Sequence, residues 1–133
     1  MEQPSRWDIL ETASLAEETA WTEHFTGFVN SFVQKSRRER WLHLLLKRPQ
    51  QIYSNSHKLH SHLDWSRCSR IENASQLNQI GKGVYYGFLD EPVVLTVSEA
   101  FIVGPDRDGI FSIVQGKLAI YFFHENDIIL CKM

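Results

Sequence analysis

His57, His60, Asp64 and Cys68 are the residues of this chain whose types and spacing come nearest to a metal-ligand set. In the run Ser56-His57-Lys58-Leu59-His60-Ser61-His62-Leu63-Asp64, a helix would put His57 and His60 on one side with Asp64 one turn beyond, and Cys68 follows soon after. Imidazole, carboxylate and thiolate suit zinc or another borderline transition metal. Against that, the spacing matches neither paired Cys-x2-Cys nor His-Glu-x-x-His, and the Lys58 ammonium beside the set would repel a cation. The competing reading is a group of polar, partly exposed histidines on a surface helix or loop.

The same stretch holds the strongest charge feature. Residues 35–70 carry nine Lys/Arg against two acids, a charge of +7, within a chain of net charge −2. Residues 1–34 sum to −5 and residues 71–133 to −4. Such segregation creates a local positive field able to attract phosphates, carboxylates or an acidic partner without making the whole protein basic. Arg37, Arg38, Arg40 and Arg48 are the candidate contacts. Trp41, with His43, would offer stacking faces if the partner were a single-stranded nucleic acid. Arginines in the first turn of a helix oppose its dipole, which implies that they have partners. Those partners could be the chain's own acids, for example Glu17 and Glu18, in which case the field is discharged internally.

Other chemistry is thin. Cys68 has histidines near it in sequence but no elbow or oxyanion motif, and Cys131 falls on an apolar strand, where a thiol acts as a small buried hydrophobe. Gly81-Lys82-Gly83 is too short for a phosphate-binding loop. Asp90-Glu91 and Asp106/Asp108 flank Pro92 and Gly109, where acids favour turns.

These residues need elements to position them. Trp21, Phe25, Phe28, Val29 and Phe32 recur with a helical period and define one apolar face, with Gly27 marking a close approach. Ser14-Leu15-Ala16-Glu17 reads as the capping box that starts this helix, and Ser36-Arg37-Arg38-Glu39 as the one that starts the next, through Trp41 and Leu45 to before Pro49. The Trp41/Leu45 side points away from the Trp21/Phe25 side, so the chain should break near Gln34–Ser36. Pro49 opens two short helices or one irregular one, with Ile52, Leu59 and Leu63 inward.

Beyond about Asp64 the composition turns to β-branched and aromatic residues with turn glycines. Candidate strands are 84–89 and 93–97, then a short stretch through Phe101 and Val103 closed by Gly104-Pro105-Asp106, with a brief helical turn at Ser98-Glu99-Ala100. The last 25 residues read as a meander of strands 110–114, 117–123 and 127–132. Its middle strand is apolar on both faces, so helices should cover one side, and the other falls to a subunit interface or a curled sheet. Of Tyr85 and Tyr86, one ring should be in the core and the other nearer solvent.

The reading is a single α+β domain over residues 1–133, with a helical part (1–64) and a sheet part (65–133). Two to four N-terminal helices pack on one face of a C-terminal, mainly antiparallel sheet of four or five strands ending in the meander. No apolar run approaches the ~20 residues of a membrane span, and no signal-peptide pattern opens the chain, so a cytoplasmic location is expected. The expected function is a small non-catalytic interaction protein. It would present Arg37, Arg38, Arg40, Trp41 and Arg48 to an acidic protein partner, with homodimerisation through the sheet. The alternative is a zinc-type protein or enzyme using His57, His60, Asp64 and Cys68, and the third reading is a nucleic-acid-binding module.

Overall fold

The structure, a computed structural model, describes residues 4–77, 81–87 and 91–133. The phenylalanine stripe forms α2 (Glu18–Phe32). Phe25, Phe28, Val29 and Phe32 are all fully buried, and burying each such side chain contributes about 1.5–3 kcal/mol. The next helix, α3 (Lys35–Lys47), buries only Trp41 and Leu45. Long-range backbone pairing imposes the break between them. Val33 forms an isolated bridge with Leu63, Gln34 N–H donates to the His62 carbonyl at 2.9 Å, and Asp64 N–H donates to the Phe32 carbonyl at 2.7 Å.

After Pro49 the chain winds as short alternating pieces. These are a 3-10 turn (Pro49–Gln51), α4 (Ile52–Asn55), a second 3-10 turn (Ser56–Lys58) and α5 (Leu59–His62). Ile52, Leu59 and Leu63 face inward as expected.

Among the described residues, seven antiparallel strands form one sheet in the order β1-β4-β3-β5-β6-β7-β2, comprising β1 (Ser14–Leu15), β2 (Cys68–Ile71), β3 (Lys82–Tyr86), β4 (Val93–Thr96), β5 (Gly109–Val114), β6 (Leu118–Phe123) and β7 (Asp127–Lys132). β5, β6 and β7 are the expected meander. Their turns place Gly116 and Asn126 at positive φ (67° and 65°), the conformation glycine and asparagine accept most readily. Residues 88 and 89 of the expected strand 84–89 lie outside the described residues.

The α+β class, the antiparallel sheet and the C-terminal meander hold, but the sheet is wider than four or five strands and both of its faces are covered. Alternation along the strands separates two cores. Val84, Tyr86, Ala119 and Tyr121 join α2 and α3 on one face. Tyr85, Leu118, Ile120 and Phe122 pack on the other with Ile9 and Leu10 of α1 (Arg6–Thr12) and with Val97, Ala100 and Val103 of α6 (Val97–Val103). The second face is therefore largely filled by the chain's own helices, with Ile113, Ile128 and Leu130 left partly buried there. For the same reason Tyr85 and Tyr86 are both buried, and neither is a surface contact.

Three local expectations are corrected. Ser14 and Leu15 are drawn into an edge strand opposite Val94 and Val93, so Glu17 rather than Ser14 precedes α2, without a side-chain cap. Ser36 falls inside the first turn of α3, whose cap position is Gln34. The stretch through Phe101 and Val103 is helical, because Thr96 and Glu99 form a reciprocal capping box that starts α6.

Candidate functional site

α3 presents the basic residues. At about 100° per residue, Arg37, Arg40, Leu44, Lys47 and Arg48 fall within a sector of roughly 100° on one flank of the helix. Arg37, Arg40, Lys47 and Arg48 are exposed, and none takes part in an ion pair among the described residues. Leu44 is half-buried in their midst, whereas Leu46, 76% exposed, lies on the opposite side of the helix. Among the described residues no carboxylate of the acidic ends pairs with this flank. The ion pairs found join His60 and Arg70 to Asp127, and His124 to Asp108.

Besides Arg70, two guanidinium groups of the basic stretch have structural work instead. Arg38 Nε donates to the Val33 carbonyl at 2.8 Å, and Arg67 donates to the Ser31 carbonyl at 2.8 Å. Both bind carbonyls at the C-terminal end of α2, where a helix has unsatisfied acceptors and a partial negative charge. Arg38 is half-buried there, so it is a cap first and a surface group second. Trp41 is 3% exposed and sits in the core, which overturns its expected role as a stacking face.

The Trp41 indole N–H donates to His62 Nδ1 at 3.2 Å. With Nδ1 accepting, the neutral ring carries its proton on Nε2. Burial lowers the His62 pKa below its ordinary value of 6.5, and the nearby charges of Arg37, Arg40 and Lys58 lower it further. α3 and the 3-10 turn before α5 thus place three cations whose charges act on one imidazole, with no carboxylate among the charges that act on it.

The structure does not bring the candidate metal ligands together. His57 is exposed. His60 stacks on Phe123 with ring centroids 4.2 Å apart, meets Trp65 edge-on, and bonds through Nε2 to Asp127 at 3.0 Å. Asp64 caps the turn Trp65–Arg67 by accepting from the Ser66 amide and hydroxyl, and those bonds hold its carboxyl below the usual range. Cys68 faces Cys131 across the sheet. Among the described residues no three His, Cys, Asp or Glu side chains stand together as a metal site, so this set does not fit a tetrahedral zinc centre.

Sequence reasoning missed two features. His24 bonds through Nδ1 to the buried Ser112 hydroxyl at 2.7 Å, and burial lowers its pKa. A cleft of about 310 Å³ opens where Trp21, Tyr53 and Tyr86 meet Glu18 and Glu91. Among the described residues no base lines this cleft, so its Glu18 and Glu91 disfavour an acidic ligand rather than competing with α3 for one. The helical period of α2 could have signalled His24, which lies one residue before Phe25 on the inward side. The cleft joins residues too far apart in sequence to be read from spacing.

Compared with known proteins, the chain matches no family model, no curated protein and no solved structure.

Proposed function

We propose that this protein is an interaction module without catalysis of its own, and that the exposed flank of α3 docks an acidic segment of a partner protein. The observation that carries the reading is the set of exposed cations at Arg37, Arg40, Lys47 and Arg48 with no ion-pair partner among the described residues. A protein with net charge −2 that leaves these groups unpaired on one flank keeps a field suited to steering an oppositely charged partner. Leu44, half-buried within that flank, favours a partner whose acids are interspersed with apolar residues. The burial of Trp41 leaves the exposed His43 as the remaining one of the two expected stacking faces, which favours protein over nucleic acid.

The test is fluorescence anisotropy of a labelled peptide of glutamates interspersed with leucines, titrated with the full chain. The expected result is binding that weakens by roughly tenfold or more in the Arg37→Glu/Arg40→Glu variant and declines as salt rises. Equal binding by the double variant overturns the reading. Tighter, steeply salt-dependent binding of a single-stranded oligonucleotide moves the function to nucleic acid.

A further inference from the structure

β2 and β7 pair so that Cys68 lies directly opposite Cys131. Their sulfurs are 3.6 Å apart, and both are free thiols. Directly opposed residues on antiparallel strands have Cα atoms about 4.5–5.5 Å apart, inside the ~4.4–6.8 Å range that a disulfide spans. Rotation about the two side chains can therefore bring the sulfurs to bonding distance with the strands left in place.

The two cysteines differ in access. Cys68 is half-buried on the outermost strand, whereas Cys131 is fully buried on β7. When Cys68 is a thiolate, the Cys131 S–H donates to it, and this bond lowers the Cys68 pKa against the opposing effects of burial and Asp64. The same contact, together with burial, pushes the Cys131 thiol up. The more exposed Cys68 is the residue placed to meet an oxidant first, with the buried Cys131 sulfur 3.6 Å behind it to resolve the product, an arrangement common to redox-responsive cysteines.

We propose that Cys68 and Cys131 form a reversible oxidation site, closed to a cross-strand disulfide by a hydroperoxide and reopened by a dithiol. The Cys68 thiolate attacks one oxygen of hydrogen peroxide, the O–O bond breaks, and the departing hydroxide takes up a proton to leave as water. Cys68 is then a sulfenic acid. The Cys131 sulfur attacks Cys68 Sγ, the S–O bond breaks, and the second hydroxide leaves as water with the Cys131 proton. Two thiols and one peroxide become one disulfide and two waters. A dithiol reverses this by two exchange steps and is itself oxidised to a disulfide.

Closure joins positions 63 residues apart and ties the edge strand β2 covalently to β7. It stabilises mainly by restricting the unfolded chain, and a long loop gains most in that account. The proposal uses none of the basic residues of α3, so it stands or falls separately from the docking surface.

The test treats the folded protein with stoichiometric hydrogen peroxide, removes the peroxide, alkylates in denaturant so that buried Cys131 is also reached, and reads intact mass and peptide maps. The expected product has lost two hydrogens, takes no alkyl groups, and yields a crosslinked peptide containing Cys68 and Cys131. Its thermal midpoint should rise by roughly 5–15 °C and return on treatment with dithiothreitol. Cys131→Ala should leave Cys68 trapped as a sulfenic acid that a dimedone probe labels. Cys68→Ser, altered at the more exposed position, should leave Cys131 unreacted in the folded protein, and this keeps the test decisive if Cys131→Ala fails to fold. Oxidation of Cys68 to a sulfinic acid with Cys131 still alkylatable overturns the proposal, as does a link that forms only in denaturant.

Discussion

The Trp41 indole donates its N–H to His62 Nδ1 at 3.2 Å, fastening the buried side of α3 to the end of α5. That bond requires the unprotonated nitrogen, while Arg37, Arg40 and Lys58 disfavour a fourth positive charge beside them. Packing and electrostatics therefore both hold His62 neutral. The tryptophan of the basic helix organises the surface from beneath instead of forming part of it.

From this arrangement follows a pH dependence. Since the folded His62 titrates below 6.5, the unfolded chain takes up the proton first as pH falls. Its contribution to stability is complete above about pH 6.5 and is lost as pH drops through the lowered folded value. Imidazole NMR should give a His62 midpoint below 6.5 that moves partway back toward 6.5 in Arg37→Ala/Arg40→Ala, because burial, the leading cause, remains. Part of the stability lost between about pH 7 and about pH 5 should disappear in His62→Gln, with the remainder including His24. A His62 midpoint at or above 6.5 would contradict the arrangement.

Gly27 should resist substitution. A Cβ placed there would lie 2.7 Å from the Gly116 backbone nitrogen, in the turn between β5 and β6. Alanine gains about 1 kcal/mol of helix propensity, but forcing α2 off that turn costs about 1–3 kcal/mol in displaced packing. Urea unfolding of Gly27→Ala should therefore show a net loss. A more stable variant would mean that α2 does not press on this turn.

The arginines of α3 should separate into two classes. Arg38→Ala removes a charge-assisted bond to the Val33 carbonyl and should lower stability by about 1–2 kcal/mol. Arg37→Ala, on an exposed group with no bonded partner among the described residues, should stay within about 0.5 kcal/mol of wild type. Denaturant titrations of the two variants decide it, and equal losses would remove the distinction between cap and surface.

What the sequence disclosed depended on whether local pattern or distant pairing set each boundary. The apolar stripe of α2 was legible because Phe25, Phe28, Val29 and Phe32 all face one way, and the meander because its strands and turns are contiguous. The two serine capping motifs misled because Ser14 pairs with Val94 and Val33 bridges Leu63, contacts across the fold that local rules do not see. β2 was hidden for a similar reason. Cys68-Ser69-Arg70-Ile71 has an edge strand's polar character, and pairing with β7 alone makes it a strand.

At the site, charge segregation located the right stretch but could not say which guanidinium groups the fold would consume. Arg38 and Arg67 are taken by the end of α2, Arg70 lies over the Trp65 ring and beside Asp127, and Arg37 and Arg40 are left outward. The cysteine pair was equally out of reach, since only the register of β2 against β7 brings the two thiols together.

Amide chemical-shift mapping with the glutamate-leucine peptide tests the docking surface most directly. The account predicts saturable shifts concentrated on residues 35–48 and 58–62, absent from the Arg37→Glu/Arg40→Glu variant at the same peptide concentration. Shifts centred on the sheet or on the cleft at Trp21, or equal shifts in wild type and variant, would contradict it.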